Sequence, residues 1–255
     1  MSESDGALIE AATDSAANFV EQGRVVKAER GWEWIASGFA LFKQEPLNWI
    51  AIGIITMILF VAADHIIFLG GFIVMLFAPV MMGGVMLGCR AQERGAKLEI
   101  AHLFAGFKTP RTGKLFMVGF LALVGTALAY VPAFLMMGYA GFMAMMRGDL
   151  AAVVSLGITF VLGSLVVMAL SIPIYMALWF APALVVLHDM EPAAAMKASF
   201  VACLRNTLPF LLYSVILTLL SLLALIPVGL GLLLFAPVVL ASIYCAYRDI
   251  YFLPA

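Results

Sequence analysis

From residue 150 to residue 187 the chain carries no charged side chain. A helix over that run is apolar on every side, which suits lipid or the interior of a large protein. Straight, at about 1.5 Å per residue, it approaches twice the roughly 30 Å of a bilayer's hydrocarbon core. Similar charge-free stretches occupy 46–63, 66–89, 115–146 and 206–247. The whole sequence of 255 residues is 65% hydrophobic and 11% charged, where a soluble domain carries roughly 25% charged residues. Its surface could not be made polar, so the composition dictates an integral membrane protein.

A membrane helix needs about 20 apolar residues. Val131-Pro132 with Gly138 and Gly141 break the 115–146 run, Pro173 and Pro182 are expected to kink 150–187 unless its first part lies along the interface, and Pro227-Val228-Gly229 divides 206–247 in two. Six spans are predicted, near 47–65, 67–90, 114–137, 158–188, 206–226 and 229–248. With that count Arg24, Lys27, Arg30, Lys43, Arg90, Arg94, Lys97, Lys108, Arg111, Lys114, Lys197, Arg205 and Arg248 fall on one side, and only Arg147 opposite. Basic loops stay in the cytoplasm, so both termini are expected there, in a bacterial inner membrane. Residues 1–30 read as an acidic cytoplasmic tail, disordered or weakly helical, and 31–252 as one transmembrane domain. The acidic start, with Glu3, Asp5, Glu10, Asp14 and Glu21, is the reverse of a cleavable signal.

Phe-Ala-Pro occurs three times, ending at Pro79, Pro182 and Pro237, each in an even-numbered span. Arg90 and Arg248 follow the first and last copies at equal distance. A short amphipathic stretch precedes each pair of spans: Trp32, Ile35, Phe39 and Phe42 in the first, Ile100, Leu103, Phe104 and Phe107 in the second, Met196, Phe200 and Cys203 in the third. The expected fold is therefore all-α: a polytopic bundle of six transmembrane helices in three hairpins, each preceded by a cytoplasmic interfacial helix. The pseudo-repeats cover about 31–95, 98–190 and 191–250. Interfacial residues expected to be buried at the membrane surface are Trp32, Ile35, Phe39, Ile100, Phe104, Met196 and Phe200.

Several motifs act together here. Gly31-Trp32-Glu33-Trp34-Ile35 leads to Gly38-Phe39 and Leu41-Phe42, and Met86-Leu87-Gly88-Cys89-Arg90 leads to His102-Leu103-Phe104-Ala105-Gly106-Phe107-Lys108. Ala202-Cys203-Leu204-Arg205-Asn206 and Ala246-Tyr247-Arg248-Asp249 complete the set. Over about 31–252 the chain resembles a proteobacterial family of six-span inner-membrane proteins, and distantly the membrane domains fused to some glycerophosphodiester phosphodiesterases. That resemblance implies a polytopic protein without an assigned activity. No polar stretch here is long enough for a phosphodiesterase barrel, so the enzymatic activity does not carry over.

Catalytic groups are scarce. Within the predicted membrane interior no Lys, Arg or Glu is available, and the charged candidate is Asp64, beside His65 at the outer end of the first span. His65 lies on the opposite side from His102 and His188, which excludes a three-histidine metal site. Met136, Met137, Met143, Met145 and Met146 could supply soft ligands, although flexible packing is the ordinary explanation of such methionines. Cys89, Cys203 and Cys245 are too scattered for a disulfide framework. A net charge of −1 gives nucleic acid nothing to bind. No enzyme activity, cofactor or metal is expected. The expected partners are membrane lipids, through anionic headgroups at the cytoplasmic face, and a protein partner. The expected role is a lipid- or protein-interacting scaffold. The alternative is a transporter or permease for a small or amphipathic solute.

Overall fold

The computed structural model describes residues 18–65, 70–147, 150–226 and 229–253, and all its regular elements are helical. They are α1 (Arg30–Gln44), α2 (Pro46–Asp64), α3 (Gly70–Glu93), a 3₁₀ helix (Ile100–Phe107), α4 (Thr112–Arg147), α5 (Leu150–His188), α6 (Pro192–Arg205), α7 (Thr207–Leu225) and α8 (Leu232–Tyr251). Six of these, α2, α3, α4, α5, α7 and α8, are long and apolar enough to cross a membrane. The expected acidic tail falls outside the described residues as far as residue 17.

One break differs from expectation: Val131-Pro132, Gly138 and Gly141 do not end α4. Pro173 and Pro182 lie inside a continuous α5. A helical proline costs one backbone hydrogen bond, which a neighbouring helix or side chain can restore. At the other end, α3 and α8 run past 90 and 248 to Glu93 and Tyr251. The extra turns carry Arg90, Glu93, Arg248 and Asp249 on helices that also pass through the apolar bundle.

The core is concentrated at the basic end. Trp34, Trp49, Met86, Leu98, Leu103, Leu115, Phe180, Leu184, Tyr247 and Tyr251 are almost wholly buried. Among the spanning helices α3 and α8 are the most enclosed, half and 44% buried, against 17% for α2 and 11% for α7. Toward the opposite end side chains such as Phe134, Met145, Phe160 and Ile226 are exposed. In water that surface would be untenable; in a bilayer lipid covers it.

The short helices dock in a cyclic order: α1 lies along α8, the 3₁₀ helix along α3, and α6 along α5. Small residues permit each approach. A Cβ on Gly38 would stand 2.6 Å from the Ser242 backbone nitrogen, and one on Gly106 would overlap the Val80 carbonyl oxygen. In the third pair Ser199 enters the helix ladder itself: its hydroxyl accepts from Phe180 N–H (2.9 Å) and donates to the Met176 carbonyl (2.7 Å). The second segment is 3₁₀ because its three-residue period lines Leu103 and Gly106 up against α3.

Candidate functional site

At the basic end, residues 18–26 form a strap across the last turn of α8. Phe19 and Phe252 make an antiparallel bridge, Val20 N–H donates to the Tyr251 carbonyl (2.8 Å), and Arg24 N–H to that of Ile250 (2.8 Å). Buried Asn206, between α6 and α7, holds the strap from below: its Oδ1 accepts from Val26 N–H (2.8 Å) and its Nδ2 donates to the Arg24 carbonyl (2.9 Å).

Asp249 is the hub. Arg24 Nη2 and Arg30 Nη2 donate to its Oδ1 (2.6 and 2.7 Å), while Arg30 Nε and the indole Nε1 of Trp34 donate to Oδ2 (both 2.8 Å). Arg30 thus grips the carboxylate with two nitrogens, the geometry a lysine cannot reproduce. The hydrogen bond to Asp249 pushes the Arg30 guanidinium above its usual pKa. Nearby, Glu93 of α3 accepts from Tyr244 OH (2.5 Å) and Arg248 Nε (2.9 Å) of α8. Gln92 accepts from Trp49 Nε1 (3.2 Å) and donates to the Leu41 carbonyl (2.8 Å). Arg24, Arg30, Gln92, Glu93, Arg248 and Asp249 line one crevice of about 620 Å³.

A second cluster lies where α5 turns into α6. Asp189 has a left-handed backbone (φ 57°), which reverses the chain. Lys114 and Arg111 hold its side chain at 3.1 and 3.2 Å, and Lys114 also pairs with Glu191 at 2.9 Å. The Lys114 hydrogen bond lowers the Asp189 pKa. Arg111 Nη1 also donates to the Val186 carbonyl, 3.1 Å. His188 Nε2 stands 2.5 Å from Tyr247 OH, under the ring of Phe19, whose centroid is 3.8 Å from that of the imidazole.

The expected surface residues divide. Ile35 is buried in the core, whereas Trp32, Phe39, Ile100 and Phe104 stay on the exterior. Met196 and Phe200 are half-buried. What α1 buries is Gly31, Trp34, Ile35, Gly38, Leu41 and Phe42, and α6 packs through Ala195, Ala198, Ser199, Ala202 and Cys203. Pro79 and Pro182 meet in one apolar groove of about 420 Å³ with Trp179 and Ile243. Pro237 instead packs near Gly53 of α2. Arg248 is engaged by Glu93 and lies over the Phe252 ring, 4.0 Å from its centroid. Arg90 is half-buried.

His102 serves locally, its Nδ1 accepting from Glu99 N–H (2.9 Å). His65 stands by the Val61 carbonyl, 2.7 Å. The five methionines of 136–146 share one continuous helix; at about 100° per residue Met137 and Met145 point away from the face shared by Met136, Met143 and Met146.

Residue patterns alone missed the hub because its members are far apart in sequence. The signal was present only in the motifs of the resemblance, which contain Trp34, Asn206, Tyr247, Arg248 and Asp249.

The fold and this charged end define a class: an all-helical, multi-pass integral membrane protein. Over 200 residues the chain is 28% identical to a probable inner membrane protein of Burkholderia thailandensis, a match covering 75% of this chain and 73% of that one. No family model and no solved structure matches.

Proposed function

We propose that this protein is a non-enzymatic inner-membrane scaffold whose basic, cytoplasmic end binds anionic phospholipid headgroups or a protein partner. The observation that carries this reading is the outward placement of Trp32, Phe39, Ile100 and Phe104 on the docked helices. Lys43 lies over the Phe39 ring, 5.1 Å from its centroid, and the segment 90–114, which contains Ile100 and Phe104, carries six cations. Apolar rings beside cations are what an interfacial helix presents to a charged leaflet. The strap bridge between Phe19 and Phe252 supports placing both ends on that side. The cyclic docking supports three hairpin units, each bearing its interfacial helix on a neighbour. The distant likeness to phosphodiesterase-fused membrane domains belongs to the same reading, as kinship of the membrane part alone.

The test uses nanodiscs whose lipids are brominated near the headgroup end of the acyl chain. The difference in fluorescence between wild type and W32F isolates Trp32 from the other tryptophans. Strong quenching is expected, and a Trp32 emission indifferent to bromine overturns the interfacial placement. Passage of a small or amphipathic solute has one observation in its favour, the groove between α3, α5 and α8. Its walls, Val74, Met75, Pro79, Leu178 and Pro182 among them, are apolar, which suits an acyl chain better than an ion.

A further inference from the structure

We propose that the crevice at the end of α8 is a binding site for a phosphate ester, held by the free guanidinium edges of Arg24 and Arg248 and by Ser37 and Gln44.

These four side chains stand on the wall of one crevice of about 620 Å³, within the roughly 300–1,000 Å³ of small-molecule sites. Their hydrogen-bonding capacity is only partly used. Arg24 donates from Nε to the Asp249 carbonyl (2.7 Å) and from Nη2 to Asp249 Oδ1 (2.6 Å), which leaves Nη1. Arg248 donates from Nε alone, to Glu93 Oε1 (2.9 Å), and keeps both Nη atoms. Ser37 and Gln44 are exposed and make no hydrogen bond among the described residues. Arg30 is fully occupied, by Asp249 through Nε and Nη2 and by Glu33 through Nη1, and takes no part.

The carboxylates on the same wall are taken. Asp249, its side chain 5% exposed, receives two donors on each oxygen, and Glu93 receives Tyr244 OH and Arg248 Nε. What the crevice offers a ligand is therefore donors, and the complement of guanidinium edges is an oxyanion. Both guanidiniums are already held in place, Arg24 by Asp249 and Arg248 between Glu93 and the Phe252 ring, so little side-chain freedom is lost on binding. Two forks on different segments suit a tetrahedral phosphoryl group, whose oxygens lie in more than one plane. Ala40, Leu41, Phe252 and Leu253 add an apolar wall, which inorganic phosphate would leave uncovered and the carbon part of an ester would fill.

Position separates the two sources of such a group. The exposed residues of α1 fall on two flanks about 100° apart: Trp32, Ala36 and Phe39 on one, Ser37, Ala40 and Gln44 on the other. With Trp32 in the leaflet, the crevice opens on the aqueous flank, toward a soluble phosphate ester; a phospholipid headgroup shares the chemistry. In this respect the inference rests on the scaffold reading.

The full chain in a neutral detergent is titrated with phenyl phosphate, inorganic phosphate or short-chain phosphatidylglycerol while its thermal midpoint is followed. Phenyl phosphate should raise the midpoint at roughly tenfold lower concentration than inorganic phosphate, through its apolar contact. Gln44→Glu and Ser37→Glu place a carboxylate at exposed, unpartnered positions, so the fold is kept while the anion is repelled. Each should need roughly tenfold more phenyl phosphate. Arg248→Lys, which keeps the charge without the fork, should also bind more weakly than wild type. Ala194→Glu, which adds the same charge at an exposed position of α6 outside the crevice, should titrate as wild type. Phosphatidylglycerol acting at the lower concentration, with the same loss in Q44E, assigns the site to a headgroup. The site is refuted if none of the three compounds stabilises wild type, if Q44E and S37E titrate as wild type, if a folded R248K does, or if A194E weakens binding as much. Titrations indifferent to Gln44, with Trp32 quenched by brominated lipid, refute the site alone. Binding that depends on Gln44 without quenching refutes the interfacial placement alone.

Discussion

The carboxylate of Asp249 accepts from two arginines and an indole, so Asp249→Asn leaves two guanidiniums facing a neutral amide. Breaking such a partly buried pair costs about 3 kcal/mol, to be read as a lower thermal midpoint in detergent. Arg30→Lys keeps the charge and loses the fork, so its midpoint should fall between wild type and D249N; a midpoint below D249N would show that Arg30 acts through other contacts. Cys203 offers a second test. Its thiol donates to the Met176 carbonyl (3.6 Å), and burial pushes its pKa up to about 12. The folded state therefore holds the proton more tightly than the unfolded chain, and this contribution, complete below the unfolded value near 9, fades as pH rises from there toward 12. With Cys89 and Cys245 replaced by alanine, Cys203 should resist maleimide at pH 8 and react once the protein is unfolded. Rapid labelling of the folded form would contradict its burial.

At the scale of the helix, small residues decide what can dock. Gly106 has no room for a side chain against the Val80 carbonyl, so Gly106→Ala must separate the 3₁₀ helix from α3. A loss of about 1–3 kcal/mol is expected for such overpacking. Gly138, in the middle of α4, has nothing within 4 Å of a built Cβ, and Gly138→Ala should add up to about 1 kcal/mol through helix propensity. The pair is decided by comparing thermal midpoints: equal effects of the two substitutions would mean that the close approach is absent. Amphipathic periodicity marked these three segments as helical but did not separate the face turned to the bundle from the face turned away from it. Trp32 and Phe39 belong to the same apolar stripe as Ile35, and it is packing against α7 and α8 that selects Trp34, Leu41 and Phe42 for the interior. In α6 the alanines and Ser199 face α5 because larger side chains would hold the helices apart.

For the whole molecule, the orientation prediction is tested by reporter fusions. Fusions after Arg94 and Lys197 should report cytoplasm, and one near Arg147 the opposite side; a cytoplasmic signal at Arg147 would invalidate the six-span topology. The number of apolar helices and the gathering of cations at one end were legible from sequence, because lipid imposes length and charge constraints that act within each segment. The continuity of α4 through Pro132 was not, since the cost of a helical proline depends on what restores the lost hydrogen bond. The polar hub was hidden for a related reason. Arg24, Trp34, Asn206 and Asp249 are individually unremarkable residues of a basic end, and their meeting depends on α1 lying along α8 and the strap crossing both. Local hydropathy determines that this chain inserts as a bundle of helices, because each segment must satisfy the bilayer alone. Only the tertiary structure decides which charges neutralise one another, because ion pairing depends on distances between segments that no local pattern encodes.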